Sequence, residues 1–520
     1  MEQLIRSEQA LEQRHLEETL AIVRSEKAKR EKELGIVDGE DRLVNVQDDS
    51  SNESVVALTL MRNKLRALHQ LRLSENSPYF ARLDFTPDGE DKRTYYVGRW
   101  GVVETPGYQV RVVDWRSPVA NLYYSGQVGR VSYEAPDGGV AGDMSLKRMF
   151  TIHQGQLEAM FDTGLAGQEK YLEDALSQVT SSRLREVVTT IQAEQNQVIR
   201  FSPEQPLLVQ GVAGSGKTTI ALHRIAWVLY RLQQSLQPQQ MMILAPNPLF
   251  LTYISRVLPD LGVEEVRQTT FPLLCKLLMG KQYPRIVDTP RLEQRLHMTK
   301  PERDRMDDTL HRKGSLRFRD RLLTWLGDFE QSAAPQGDVV FGGQRLLSAE
   351  EMRQMFLVQQ RHFPLWQRTQ EIKKIAKKRM EDVSEALRDR LTRLTEERLE
   401  ALVRSRPDSE ERRARATKLV QSRETRFEEL KALGKRFLSE YDALWPRMDV
   451  CTLYAAFLQQ LAEDDPACAA LRDESVPGLS RRVARPEDLP ALLTLCARVF
   501  GVKAPVIRQV VIDEAQDLSP

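Results

Sequence analysis

The chain has 520 residues, enough for several domains, and 41% hydrophobic residues to build their cores. Its 29% of charged residues exceeds what a compact enzyme carries and suits long exposed helices. A net charge of +1 argues against a global basic field for nucleic acid and leaves only local patches.

The charged N-terminus, MEQLIRSEQALEQRHLEE, lacks the apolar core of a signal peptide, and no run approaches the ~20 residues of a bilayer span. A soluble cytoplasmic protein without membrane contact is expected. Residues 1–72 predict an antiparallel helical hairpin. Leu4, Leu11, Leu16, Leu20 and Val23 form a narrow apolar seam, and Val55, Leu58, Leu60, Met61, Leu65, Leu68 and Leu71 mark the returning helix. The loop between them carries Asp38, Glu40, Asp41, Asp48, Asp49 and Glu53. On charge alone it reads first as a solvated acidic loop, and second as a carboxylate-bearing tip that probes a basic channel or metal site of a partner.

Residues 73–165 predict a β-rich module. Runs at 79–85, 94–98, 108–113 and 128–133 alternate apolar and polar residues and are separated by Pro-Asp-Gly and Pro-Gly turns. Asp114-Trp-Arg-Ser-Pro118 ends one such strand. It reads as a corner locked by an ion pair and packing rather than as a ligand site.

Residues 166–277 predict the first part of an α/β domain. After a helix over 167–200 comes Gly211, Val212, Ala213, Gly214, Ser215, Gly216, Lys217, Thr218, a full match to G-x-x-x-x-G-K-[ST], followed by Thr219. The apolar run 206–210 predicts a buried strand before it, and 219–230 predicts a helix after it. Glycines in such a loop turn successive N–H groups inward onto phosphate oxygens. Lys217 is placed for the β- and γ-phosphates and the Thr218 hydroxyl for Mg²⁺. Further strands are expected at 241–246 and 266–270, with a helix opening at Asn247.

Residues 278–500 predict a long helical insertion. Ser348-Ala-Glu-Glu351 forms a capping box, residues 372–402 are amphipathic, Pro407 breaks the run, and a further helix carries Leu419 to Phe437. Basic clusters at Lys373, Lys374, Lys377, Lys378 and Arg379 and at Arg412, Arg413, Arg415 and Lys418 read as solvated helix faces ahead of phosphate contacts. The cysteines Cys275, Cys451, Cys468 and Cys496 stand apart without a C-x-x-C pair, so buried or free thiols are favoured over disulfides or a metal site. Over residues 501–520 the domain resumes with an apolar strand ending in Asp513-Glu514, the form of a Walker B motif. Asp513 is a candidate Mg²⁺ holder, and Glu514 a candidate general base for an attacking water.

With Asp513-Glu-Ala-Gln-Asp517 in view, the chain resembles superfamily 1 helicases of the UvrD/Rep type. That resemblance implies a RecA-like parallel sheet that binds ATP with Mg²⁺. It makes Gln195 the adenine-reading glutamine and Gln516 the glutamine that senses nucleotide. Ala245-Pro-Asn247 and Gln268-Thr-Thr270 correspond to motifs Ia and Ib, which contact single-stranded nucleic acid. The N-terminal hairpin, DWRSP and the long insertion further resemble the HelD (helicase IV-like) group of RNA polymerase recycling factors. In that group the coiled-coil hairpin enters the secondary channel of the polymerase and the insertion enters the main channel, with ATP turnover driving release. The sequence stops at Ser519-Pro520, directly after motif II. The second RecA-like domain of the family is absent, which implies a fragment that binds ATP weakly and hydrolyses it poorly.

An ATP-driven factor that removes RNA polymerase from nucleic acid is therefore the leading expectation. A DNA helicase of repair or recombination, with a DNA or RNA single strand as partner, is the second. A polymerase-binding module without turnover is the third. No signal for a homo-oligomer is visible.

Overall fold

The computed structural model describes residues 2–34, 52–105, 107–162, 187–287, 296–405, 407 and 409–518. Asp38, Glu40, Asp41, Asp48 and Asp49 of the acidic loop, and residues 167–186 of the expected helix, lie outside the described residues. The chain divides into two units, residues 1–269 with 506–513, and residues 270–505 with 514–520.

The first unit begins with α1 (Glu2–Leu34) and α2 (Asn52–Asn76). They run antiparallel, as the ion pairs Arg24–Glu75, Arg72–Glu31 and Lys64–Glu33 require. Leu16, Leu20, Val23 and Leu68 are buried as the apolar seam predicts. Leu11, expected in that seam, is instead 62% exposed, and its neighbour Glu12 is buried. The reason is the partner surface. Here α1 lies on a sheet that presents cations, and Glu12 accepts from Arg82 Nη1 at 2.7 Å, Arg148 Nη1 at 3.0 Å and Tyr96 OH at 2.9 Å.

That sheet comprises β1 (Ala81–Pro87), β2 (Arg93–Gly98), β3 (Val102–Glu104), β4 (Gln109–Asp114), β5 (Gly129–Ala135), β6 (Gly138–His153) and β7 (Gln156–Asp162), with the short helix α3 (Asn121–Ser125) before β5. The strand order is β3-β4-β2-β1-β6-β5, with β7 also paired to β6. The four alternating runs each form a strand, but β6, the longest strand at 16 residues, was not expected. Its glycines and its charged Lys147 and Arg148 hide the alternation, although both of these side chains are buried.

The chain continues through α4 (Val187–Thr190), α5 (Ala193–Ile199), α6 (Lys217–Arg231), β8 (Met241–Ala245), α7 (Pro248–Asp260) and β9 (Arg267–Thr270). Ile220, Leu222, Ile225, Ala226, Trp227 and Val228 are buried around the whole circumference of α6, and each large side chain among them contributes about 1.5–3 kcal/mol.

The second unit is mainly helical: α8 (Phe271–Met279), α9 (Lys300–Lys313), α10 (Leu316–Ser332), α11 (Ala349–Gln354), α12 (Leu365–Ser405), α13 (Glu410–Ala443), α14 (Val450–Asp464), α15 (Ala469–Leu479) and α16 (Leu489–Val499). Two small sheets were not expected: β10 (Arg285–Ile286) pairs in parallel with β13 (Val483–Ala484), and β11 (Val339–Phe341) with β12 (Gln344–Leu347) as a hairpin. Ser348 caps α11 as its sequence predicts, accepting from Glu351 N–H at 3.1 Å. The 41-residue α12 and 34-residue α13 form an antiparallel pair, with Lys373 on Asp442 and Arg388 over the Phe427 ring.

The last strand, β14 (Gln509–Ile512), belongs to the first unit. It pairs in parallel with β8, Gln509 opposite Met241 and Ile512 opposite Leu244, and the sheet order is β14-β8-β9. A parallel pair among flanking helices is the α/β arrangement expected for a RecA-like domain. The run 206–210 departs from expectation. It forms no strand, and Leu208 is 86% exposed. An unbroken apolar run signals a strand covered on both faces. Here it carries no ladder among the described residues, and the side chain of Gln509 bonds only the carbonyl of Pro203 just ahead of it, at 2.9 Å.

Candidate nucleotide-binding site

The loop before α6 turns through two left-handed glycines, Gly214 at φ 81° and Gly216 at φ 80°. L side chains adopt that conformation only with strain, so these two positions need glycine. Gly216 is also the residue from which α6 starts, and no side chain caps the helix there. The first N–H groups of α6 therefore stay available at the positive end of the helix dipole. Lys217 Nζ donates to the carbonyls of Gly211 at 3.0 Å and Val212 at 2.9 Å, which holds the ammonium over the loop.

The parallel register of β14 on β8 carries the other half of the site. Asp513 N–H donates to Leu244 O at 3.1 Å, one step beyond the ladder. Its carboxylate then accepts from Thr218 Oγ1 at 2.8 Å, a contact across 295 residues. Glu514 follows with φ 52°, an unusual conformation for a residue with a side chain. Its carboxylate accepts from the Gln516 amide.

Gln195 lies in the first turn of α5, with its Oε1 accepting from Gln192 N–H at 3.2 Å. A Cβ added at Gly216 would stand 3.8 Å from Gln195 Nε2, so the amide borders the loop. The structure thus brings together Gln195, the 211–219 loop and Asp513 within one unit.

Residues 191–520 match the UvrD/REP helicase N-terminal domain, and residues 9–178 match the N-terminal domain of DNA helicase IV HelD. The chain is a HelD-like member of the UvrD/REP helicase family. A search of curated proteins finds no match.

UvrD-type helicases use ATP with Mg²⁺ as a family property. The residues of this family member fit that pair: a loop of N–H donors with a lysine for phosphate, and a hydroxyl touching a carboxylate for a hard cation. Asn247, expected in motif Ia, is an N-cap, accepting from Phe250 N–H at 3.0 Å. Of the motif Ib residues on β9, Thr270 is buried, and Gln268 and Thr269 are half-buried. The basic clusters of the helical unit are met by acids: Lys374 by Glu371, Lys377 by Glu381, Arg379 by Glu351, and Arg415 by Glu411. All four cysteines are buried and unpaired, and burial pushes the Cys275 thiol up to about 12.

The Asp114–Pro118 corner of this HelD-like chain is locked by an ion pair and packing, as its sequence predicts. Asp114 and Arg116 pair in bidentate fashion at 2.8 and 2.7 Å, and Trp115 is fully buried. The Arg116 guanidinium also lies over the rings of Trp100 and Tyr230. Trp115 meets His223 of α6 edge-on, with ring centroids 5.6 Å apart. His223 Nδ1 lies 2.7 Å from the Thr219 carbonyl, so Nδ1 carries the proton, and Nε2 is buried without a hydrogen-bond partner among the described residues. Burial lowers the His223 imidazole to about 4 and the Arg200 guanidinium to about 10. The aromatic and charged pattern DWR was the only signal in the sequence for this corner.

Proposed function

We propose that this chain is the ATP-binding part of a HelD-like motor that binds RNA polymerase and releases it from nucleic acid. The observation that carries the ATP site is the 2.8 Å bond from Thr218 to Asp513, which joins the two phosphate and metal motifs of the sequence. Gly211 to Thr219 receive the triphosphate, and Lys217 exchanges its two loop carbonyls for the β- and γ-phosphates. Thr218 and Asp513 would hold Mg²⁺, which when bound would neutralise phosphate charge. Glu514 takes the proton of the attacking water, and Gln516, bonded to Glu514, couples that group to the nucleotide. Gln195 reads adenine.

The polymerase reading draws its support from the match to the HelD N-terminal domain and from two helical arms. We assign 1–72 to a coiled-coil arm, 73–165 to the β-rich module, 166–277 and 501–520 to the RecA-like domain, and 278–500 to the insertion arm. The arm α1–α2 is braced on the β-rich module by the buried Glu12. The arm α12–α13 exposes Leu394, Val403 and Leu433 along its surface.

The nucleotide part is tested by titrating the chain with a fluorescent ATP analogue, with and without Mg²⁺. The wild type should bind more tightly with Mg²⁺, and Asp513→Asn should lose roughly tenfold of that gain while keeping its Mg²⁺-free affinity. Equal Mg²⁺ enhancement in both proteins would remove Asp513 from the metal site.

A further inference from the structure

The helix that carries Gln195 is held from behind by the β-rich module. With only 7 residues, α5 is too short to fix its own position. Its next residue, Asn196, is buried, and Asn196 Nδ2 donates to Asn121 Oδ1 of the module at 2.6 Å. Asn196 Oδ1 accepts from Arg200 Nε at 2.9 Å. The Arg200 guanidinium then donates to the carbonyls of Trp115 at 2.6 Å and Ser117 at 3.1 Å. Ahead of α5, Tyr123 and Tyr124 donate to the carbonyls of Thr189 at 3.0 Å and Val188 at 3.1 Å. The segment bearing Gln195 is therefore tied to one corner at both ends. Trp115 of the same corner packs on His223 of the helix that follows the phosphate loop. The corner is thus a shared support for both borders of the site.

We propose that Asn121 and the corner carbonyls, acting through Asn196 and Arg200, are positioning groups for Gln195 and set the preference of the site for adenine over guanine nucleotides. The inference rests on the reading of Gln195 as the adenine contact. A glutamine amide offers one donor and one acceptor, which match N7 and the N6 amine of adenine, whereas guanine presents two acceptors there. Such a bidentate match tolerates only about 0.5 Å of displacement, so loosening α5 costs base discrimination before it costs phosphate binding.

The test uses the full chain and a fluorescent ATP analogue displaced by Mg·ATP, Mg·GTP or inorganic tripolyphosphate. In Asn121→Ala and in Arg200→Lys the ATP-to-GTP preference should fall roughly tenfold, with tripolyphosphate affinity held within about twofold. Asn121→Asp, which keeps the acceptor for Asn196, should retain the preference. Gln195→Ala should lose the preference, and adding Asn121→Ala to it should change nothing further. If Gln195→Ala loses the preference while Asn121→Ala and Arg200→Lys keep it, the positioning role is wrong and the adenine contact stands. An equal loss for all three ligands in Asn121→Ala also overturns the proposal, since the corner then only maintains the fold. If Gln195→Ala keeps the preference, the adenine contact itself fails and the proposal falls with it.

Discussion

At the scale of single residues, His223 shows how a side chain near the phosphate loop records its surroundings. Its ring is buried against Trp115, with one nitrogen bonded to the Thr219 carbonyl and the other without a partner among the described residues. Burial, helped by the positive charge of Arg99, lowers its imidazole from 6.5 to about 4. The unfolded chain therefore binds the extra proton first as pH falls. The neutral imidazole's contribution is complete above about pH 6.5 and is lost as pH drops through about 4, a change on the order of 3 kcal/mol. His223→Phe should flatten this part of the stability curve, so that urea midpoints of wild type and variant diverge between about pH 7 and pH 4. Parallel curves would show that His223 does not titrate in this window. At this scale the phosphate loop was legible, because its chemistry lies in consecutive residues. The supports behind it were not. Arg200 bonds the carbonyls of Trp115 and Ser117, and main-chain acceptors leave no mark in a sequence.

At the scale of elements, buried charge fixes how helices meet. In the helical unit Lys313 of α9 and Asp488, the residue just before α16, are both almost fully buried and lie 2.7 Å apart. Ser475 of α15 and Tyr454 of α14 complete the cluster, at 2.8 Å from Lys313 and 3.1 Å from Asp488. One cluster thus joins four helices. Removing one charge strands the other and costs about 3–5 kcal/mol. Asp488→Leu should speed amide exchange across α9, α14 and α16 while α6 stays unchanged. Combining it with Lys313→Met should restore much of the protection, because an apolar pair of similar size tolerates burial. Unchanged exchange in Asp488→Leu would mean that the pair does not bind these helices together. The long helices were legible from their periodicity, and so were the caps at Ser348 and Asn247. The β6 strand was missed because both of its faces bury a charge, Lys147 on one and Arg148 on the other, met by the Gly126 carbonyl and by Glu12. The 206–210 run was misread for the opposite reason: apolar character predicted a covering that Leu208 does not have.

At the scale of the whole molecule, the sequence of this HelD-like member of the UvrD/REP family carries a candidate nucleotide site in one unit and long helices in the other. The two halves of that site are separated by 295 residues in sequence, and most of that interval is the helical unit. That interval in the sequence is the basis for proposing that ATP binding acts on the insertion and moves an arm within a partner. The most direct test uses RNA polymerase held on a labelled nucleic-acid scaffold, mixed with the chain joined to a second RecA-like domain, as wild type or as Lys217→Ala, with and without Mg·ATP. The account predicts that both proteins bind the polymerase, that the wild type with ATP frees it from the scaffold, and that Lys217→Ala with ATP does not. No binding to polymerase, together with ATP hydrolysis stimulated by single-stranded DNA, would contradict it in favour of a DNA helicase, and equal release by Lys217→Ala would show that ATP does not drive the release.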